Sequence, residues 1–202
     1  MDFALNEEQL MLKAQVRKFC DTELVPRAKE MDETQEFPWD IYKKAAELGY
    51  IGPYLPQEYG GAGGDLFSKA IMYEEFVRAC FGFNLSVNAA DLLFCNNVFK
   101  HGTEEQKKKY IPGICRGEFL ACWALTEPGA GSDALSIKSS SVRDGDYFIL
   151  NGQKTFITNA PVAEYFIVIT REPGTKKMDG GTAFILERGM KVEVLDGDVV
   201  RT

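Results

Sequence analysis

Gly129-Ala130-Gly131-Ser132-Asp133-Ala134 carries the spacing G-x-G-x-x-A that opens dinucleotide-binding folds. How it is read decides the fold class. In a doubly wound α/β protein this motif follows a strand and begins a helix, so that a pyrophosphate sits at the helix N-terminus. Here Glu127-Pro128 precedes it, and the β-prone, Ser-rich stretch from Ser136 to Val142 follows. The match is one of spacing alone, and a Rossmann sheet is rejected. Two readings of the glycines stay open. One is an ordinary wide turn, for which Pro-Gly and Ser-Asp are common formers. The other is a concave nest of backbone N–H groups suited to phosphate, with the Ser132 hydroxyl beside it.

Upstream of this stretch the chain has helical periodicity. Asn6 with Gln9 forms a capping box before Leu12, Val16 and Phe19. Asp21-Thr22 to Pro26 loosens that helix. Pro38 suits the first turn of the next, which carries Ile41, Ala45 and Leu48 and stops at Gly49. Residues 51–65 read as a Gly- and Pro-dense loop whose cluster Gly60 to Gly64 is expected to be flexible. Leu66, Ala70, Tyr73 and Val77 mark a third helix. A fourth, from about Asn84 to Lys100, is apolar on most sides and expected to be buried. Thr103 with Gln106 caps a further helix over 104–114.

From Glu118 onward the signals are those of strands. Ser136 to Val142, Tyr147 to Leu150 and Lys154 to Thr158 are joined by turns at Asp144-Gly145 and Asn151-Gly152. Tyr165 to Ile169, Thr182 to Leu186, Lys191 to Val194 and a last run at Val199 to Thr202 complete the set. The expectation is an α+β chain: an all-α helical domain over 1–118, then an antiparallel barrel- or sandwich-like β domain over 119–202.

Composition narrows the chemistry. The chain has 202 residues, 23 Lys+Arg, 30 Asp+Glu and a formal net charge of −7, which argues against a nucleic-acid partner. Its one dense basic run, Lys107 to Lys109, follows Glu104 and Glu105 and reads as a solvated helix face. The single histidine, His101, stands before Gly102 at a helix end, where a cation suits the helix dipole. A multi-His zinc site is impossible within the chain, and no metal site is expected. The five cysteines include no C-x-x-C pair, and Cys20, Cys80 and Cys95 read as small buried apolar residues in a reducing compartment. No run is long and apolar enough to span a membrane, and the acidic start differs from a secretory or transit leader, so a cytoplasmic location is expected.

Thr126-Glu127-Pro128-Gly129-Ala130-Gly131-Ser132-Asp133, then Asn151-Gly152-Gln153-Lys154-Thr155-Phe156-Ile157-Thr158-Asn159, with Pro56-Gln57-Glu58-Tyr59-Gly60-Gly61 upstream, resembles the acyl-CoA dehydrogenase family. The resemblance covers the family's N-terminal helical domain and most of its middle β domain. The C-terminal helical domain has no counterpart. It implies FAD as cofactor, an acyl-CoA substrate, an electron-transfer flavoprotein as electron acceptor and a homo-oligomeric full-length parent. By position it implies that Trp123, Leu125, Thr126, Gly131 and Ser132 meet the flavin pyrimidine edge and the pyrophosphate. Ser132 also reaches the CoA arm. Thr158 stands near flavin N5, Ile157 lies beside it, and Phe156 packs on the ring face opposite the substrate, where the family more often has Trp. Ala90, Leu93, Phe94 and Asn97 are implied as lining of the acyl pocket.

The implied reaction is α,β-desaturation of an acyl-CoA thioester. A carboxylate takes the α-proton and the β-hydrogen leaves as hydride. The family's base lies in the domain without counterpart, so no catalytic residue is named and the chain reads as a truncated half-site. Two other classes stay open: a flavin-dependent monooxygenase or oxidase on the same scaffold, and a non-enzymatic binding or assembly module.

Overall fold

The computed structural model describes residues 4–175, 179–190, 193–195 and 199–201, the last two segments as backbone only. The chain divides into two compact units, residues 1–120 and 121–202.

The first unit is helical. The box at Asn6 and Gln9 forms as expected and starts α1, Glu7–Phe19. The helix then loosens without ending. A wide turn over Cys20–Leu24 and a tight one over Val25–Arg27 lead directly into α2, Ala28–Thr34. Pro26 lacks an N–H, which explains the local change of pitch. α3 spans Trp39–Glu47, and Gly49 leaves it at φ 73°. The cluster Gly60 to Gly64 is pinned, against expectation. Gly63 and Gly64 donate to the carbonyls of Leu55 and Pro53 at 2.9 and 2.8 Å. A Cβ on Gly61 would fall 2.1 Å from the Leu55 carbonyl oxygen, so only glycine permits that approach.

α4 spans Leu66–Ala79, but its buried face differs from the one expected. Ile71, Met72 and Phe76 are buried together with Lys69 and Glu75, while Leu66 and Val77 are 59% and 43% exposed. Two apolar rows run along this helix, and the charges decide between them. Glu75 is buried because Arg17 of α1 places Nε and Nη2 on its two oxygens at 2.9 Å each and Arg78 adds a third bond. Burial pushes the Glu75 carboxyl up, but the two guanidiniums outweigh that and hold it below the ordinary range. The Phe76 ring, fully buried, meets those of Phe19, Tyr50, Tyr73 and Phe83 at 5.5–6.5 Å. Burial of each such ring contributes about 1.5–3 kcal/mol.

The next helical stretch begins at Phe81 rather than near Asn84 and continues to His101: α5 Phe81–Asn88, a π-helical segment Ala89–Cys95, and α6 Asn96–His101. α7, Glu104–Cys115, opens on the expected box of Thr103 and Gln106. Cys20, Cys95, Cys115 and Cys122 are buried, and Cys80 is half-buried.

The second unit is a mixed sheet, which corrects the expectation of an antiparallel barrel. Its strands are β1 Ala121–Ala124, β2 Ser140–Asp144, β3 Tyr147–Asn151, β4 Tyr165–Arg171, β5 Gly181–Glu187, β6 Glu193–Leu195 and β7 Val199–Arg201. The order is β1-β4-β2-β3-β7-β6, with β5 on β4, and the sheet does not close. β5 pairs antiparallel with β4 along its whole length. On the other edge of β4, β1 runs parallel from Tyr165 to Val168, and β2 joins parallel at Arg171. Hairpin signals between neighbours in sequence favour antiparallel pairing, and that is how β2–β3 forms, around Gly145-Asp146. They carry no information about β1 and β4, whose connection is long. Lys154 to Thr158 is not a strand. The expected strands at 191–194 and 199–202 fall partly outside the described residues, at Lys191, Val192 and Thr202.

Candidate functional site

The site of the β unit is organised by a buried carboxylate. Glu127 directly follows the half-buried Leu125-Thr126 and is 7% exposed. Its Oε2 accepts from the Lys138 N–H at 2.6 Å, and its Oε1 accepts from the Ser139 N–H at 2.9 Å and Lys154 Nζ at 2.8 Å. Burial alone would raise this carboxyl. The ammonium of Lys154 and the two amide donors reverse the shift and hold it at about 2. Glu127 and Ala130 also exchange backbone bonds at 3.0 and 3.1 Å, closing a tight turn over Pro128-Gly129. One anion thus ties together the glycine turn, the start of β2 and the segment after β3.

Lys154 reaches in the other direction as well, donating to the Leu125 carbonyl at 2.9 Å. The Thr155 N–H donates to the Thr126 carbonyl at 2.9 Å, and buried Asn159 donates through Nδ2 to the Ala121 carbonyl at 3.0 Å. These pins make residues 155–159 run back alongside residues 121–126. Trp123, Leu125 and Thr126 are therefore brought together with Phe156, Ile157 and Thr158, although about thirty residues separate the two groups in sequence. Gly152, at φ 151°, lies so close to Ser139 that a Cβ would meet its Oγ at 2.2 Å. That contact sets where the second segment begins. Glu127, Pro128, Lys138, Ser139, Asn151 and Gln153 line an open cleft of about 340 Å³ on this unit.

Phe156 is the exceptional residue. Its ring is 91% exposed, and its backbone is left-handed at φ 56°. A bulky side chain in that region is strained, and an exposed apolar ring gains nothing from burial. Thr158 and Ile157 beside it are half-buried. Gly129 and Gly131 have open space where a Cβ would stand, and Ser132 is exposed. Neither glycine has a positive φ, and the tight bonds at Glu127 and Ala130 make this stretch a turn. The N–H groups of Gly129, Gly131 and Ser132 make no backbone bond within the described residues. The donor set and the exposed ring fit a flat, anionic cofactor such as FAD: the ring has a face to cover, and the turn offers amides and a hydroxyl for phosphate.

Ala90, Leu93, Phe94 and Asn97 belong to the helical unit. Ala90 and Phe94 are fully buried in its core, with the Phe94 ring 6.3 Å from that of Tyr110. Leu93 is 37% exposed, and half-buried Asn97 donates through Nδ2 to the Leu93 carbonyl at 2.7 Å. Leu93 and Asn97 are therefore the accessible pair of the four.

The sequence pattern assigns no role to Glu127 or Lys154, which organise this site. An acid directly before Pro-Gly and a lysine in the second block were the only available signals. Among the described residues no cluster of His, Cys, Asp or Glu fits a metal ion, and no helix is long and apolar enough to cross a membrane.

Comparison with known proteins matches residues 6–118 to the acyl-CoA dehydrogenase N-terminal domain and residues 122–199 to the acyl-CoA dehydrogenase middle domain. A short-chain specific acyl-CoA dehydrogenase of Clostridium acetobutylicum is 40% identical over 191 residues, 95% of this chain and 50% of the relative. The solved butyryl-CoA dehydrogenase of Megasphaera elsdenii superposes with a TM-score of 0.85 at 31% identity, over 100% of this chain and 56% of its own. A glutaryl-CoA dehydrogenase of Mycobacterium smegmatis, solved in complex with FADH2, does so with a TM-score of 0.85 at 28% identity, over 98% and 52%. The chain spans about half the length of the curated relatives it matches.

Proposed function

Since the chain belongs to the acyl-CoA dehydrogenase family, through that family's N-terminal and middle domains, we propose that it supplies the flavin-binding part of an enzyme that desaturates an acyl-CoA thioester between Cα and Cβ. One observation carries this reading: the pinning of residues 155–159 along residues 121–126, which sets a strained, exposed Phe156 beside Thr126 and Thr158. FAD, when bound, supplies the acceptor for the hydride that leaves the β-carbon.

The chain's own residues bind and orient. Phe156 covers one face of the ring system and excludes water there. Thr126 and Thr158 offer hydroxyls to the ring edge, and the backbones of Trp123, Leu125 and Ile157 frame it. Gly131 and Ser132 offer N–H groups and a hydroxyl to phosphate, with Ser132 also reaching the CoA arm. In the helical unit, Leu93 and Asn97 present the accessible surface for an acyl chain, with Ala90 and Phe94 behind them. No residue of this chain is assigned as the base that takes the α-proton. An acyl-CoA substrate and an electron-transfer flavoprotein are the partners this reading entails.

The test is titration of the 202-residue chain with FAD, followed by flavin fluorescence and gel filtration. Weak but saturable binding is expected, lost in Thr126→Val/Thr158→Val, with negligible acyl-CoA-dependent dye reduction. Absence of any flavin binding overturns the cofactor assignment. Vigorous turnover by this chain alone overturns the assignment of half a site.

A further inference from the structure

Residues 89–95 read Ala-Ala-Asp-Leu-Leu-Phe-Cys, good helix formers with neither Gly nor Pro, and local propensity would keep them α-helical. They are π-helical instead: the Asn96 N–H donates to the carbonyl of Asp91, five residues back. A wide turn with no local cause must be held from outside.

Asp91 is where that hold acts. Its carboxylate is fully buried, and Oδ1 accepts from Lys69 Nζ at 2.5 Å and from the Tyr73 hydroxyl at 2.6 Å, both on α4. Oδ2 accepts from the Gly52 N–H at 3.1 Å, in the loop after α3. The Asp91 carbonyl, already the acceptor of the π bond, takes a second bond from the Tyr54 hydroxyl at 2.8 Å. Lys69 is 3% exposed and stands 4.6 Å from the ring centroids of both Tyr54 and Tyr73. Burial pushes the Lys69 ammonium down from its ordinary range, opposed by the charge of Asp91. Replacing such a pair by apolar side chains of similar volume is often neutral for stability, so an ion pair here points to a geometric role.

We propose that the buried Lys69–Asp91 pair is a positioning device for the acyl group: it locks residues 89–95 in the wide register and so selects which side chains between Ala90 and Asn97 face a bound acyl chain. This rests on the acyl-CoA reading above. The wide turn inserts one residue, about 100° of helix rotation, between the Asp91 anchor and everything after Cys95. In the observed register Leu93 is exposed, the Asn97 amide covers the Leu93 carbonyl, and Phe94 is in the core. Return to α geometry would move the Asn96 N–H onto the Leu92 carbonyl and rotate Asn97 and the residues after it relative to the Asp91 anchor.

The test uses the 202-residue chain, its Lys69→Met/Asp91→Leu variant, and Lys69→Met/Asp91→Ser as the second variant should the first fail to fold. Two quantities are read: the through-hydrogen-bond NMR coupling of the Asn96 amide, and the ratio of dissociation constants for butyryl-CoA and octanoyl-CoA by calorimetry. In the variant the coupling is expected to pass from residue 91 to Leu92, and the ratio to change by about tenfold, the scale at which a pocket distinguishes chain lengths. Persistence of the bond to residue 91 in a folded variant overturns the proposal, since the pair then does not set the register. A shifted register with an unchanged ratio overturns the positioning role while leaving the acyl-CoA reading intact. Failure of the unaltered chain to bind either thioester overturns both.

Discussion

Phe76 and Phe156 show the two units using the same side chain in opposite ways. Phe76 is fully buried among four aromatic rings on an unstrained helix. Phe156 is 91% exposed on a left-handed backbone, held there by bonds its neighbours make. The helical unit converts its aromatics into stability. The β unit holds one in a costly conformation that no packing among the described residues rewards. The sharpest way to break this contrast is to truncate both rings. Phe76→Ala is expected to destabilise the helical unit by about 3–5 kcal/mol in urea unfolding, the cost of a core cavity. Phe156→Ala should leave the unfolding midpoint almost unmoved. Equal losses at the two positions would mean that Phe156 is packed and the contrast is false.

The buried carboxylates sharpen the same comparison. In the helical unit Glu75 and Asp91 are bound mostly by side chains of neighbouring elements, and they fix helices against one another. Glu127 in the β unit is bound by two backbone N–H groups and one lysine, and it fixes loops that carry the candidate flavin residues. Its folded-state pKa of about 2, against an ordinary 4.5, corresponds to about 3 kcal/mol. A depressed carboxyl contributes that stability fully above its ordinary pKa and loses it as pH falls towards 2. Glu127→Gln is therefore expected to cost about 3 kcal/mol at neutral pH. The gap between wild type and variant should close as the pH falls from about 4.5 to 2, in urea titrations of both proteins. A gap that stays constant across that range would remove the ionised carboxylate from the argument.

The features legible in the sequence are those whose cause is local. The capping boxes at Asn6 and Thr103 form because donor and acceptor are three residues apart. β4 forms where Tyr165 to Ile169 supplies a short apolar run, and the β2–β3 hairpin forms around glycine at Gly145. The features that escaped are those made by distant partners. The buried face of α4 depends on Arg17 and Asp91, 58 and 22 residues from their partners. The parallel pairing of β1 with β4 depends on a long connection that carries no pairing signal of its own. Likewise the two motif blocks are visible as blocks, but Lys154 and Asn159, which bring them side by side, act through carbonyls that no side-chain pattern reveals.

The smallest expected effect is also the most discriminating. Glycine adopts a φ near 56° without the strain a bulky residue suffers there, and this relief is partly cancelled by the greater freedom of glycine in the unfolded chain. Phe156→Gly should thus raise stability by less than about 1 kcal/mol. The same change removes the exposed ring, and aromatic stacking contributes about 0.5–1.5 kcal/mol, so FAD affinity should fall roughly two- to twelvefold. Phe156→Trp keeps the strain and enlarges the ring face, and is expected to hold FAD at least as tightly as wild type. Stability and flavin affinity should therefore move in opposite directions in the glycine variant, by fluorescence titration set beside urea unfolding. If both fall together, Phe156 is an ordinary structural residue of the loop. If stability rises and affinity does not change, the strain at Phe156 exists for something other than a flavin.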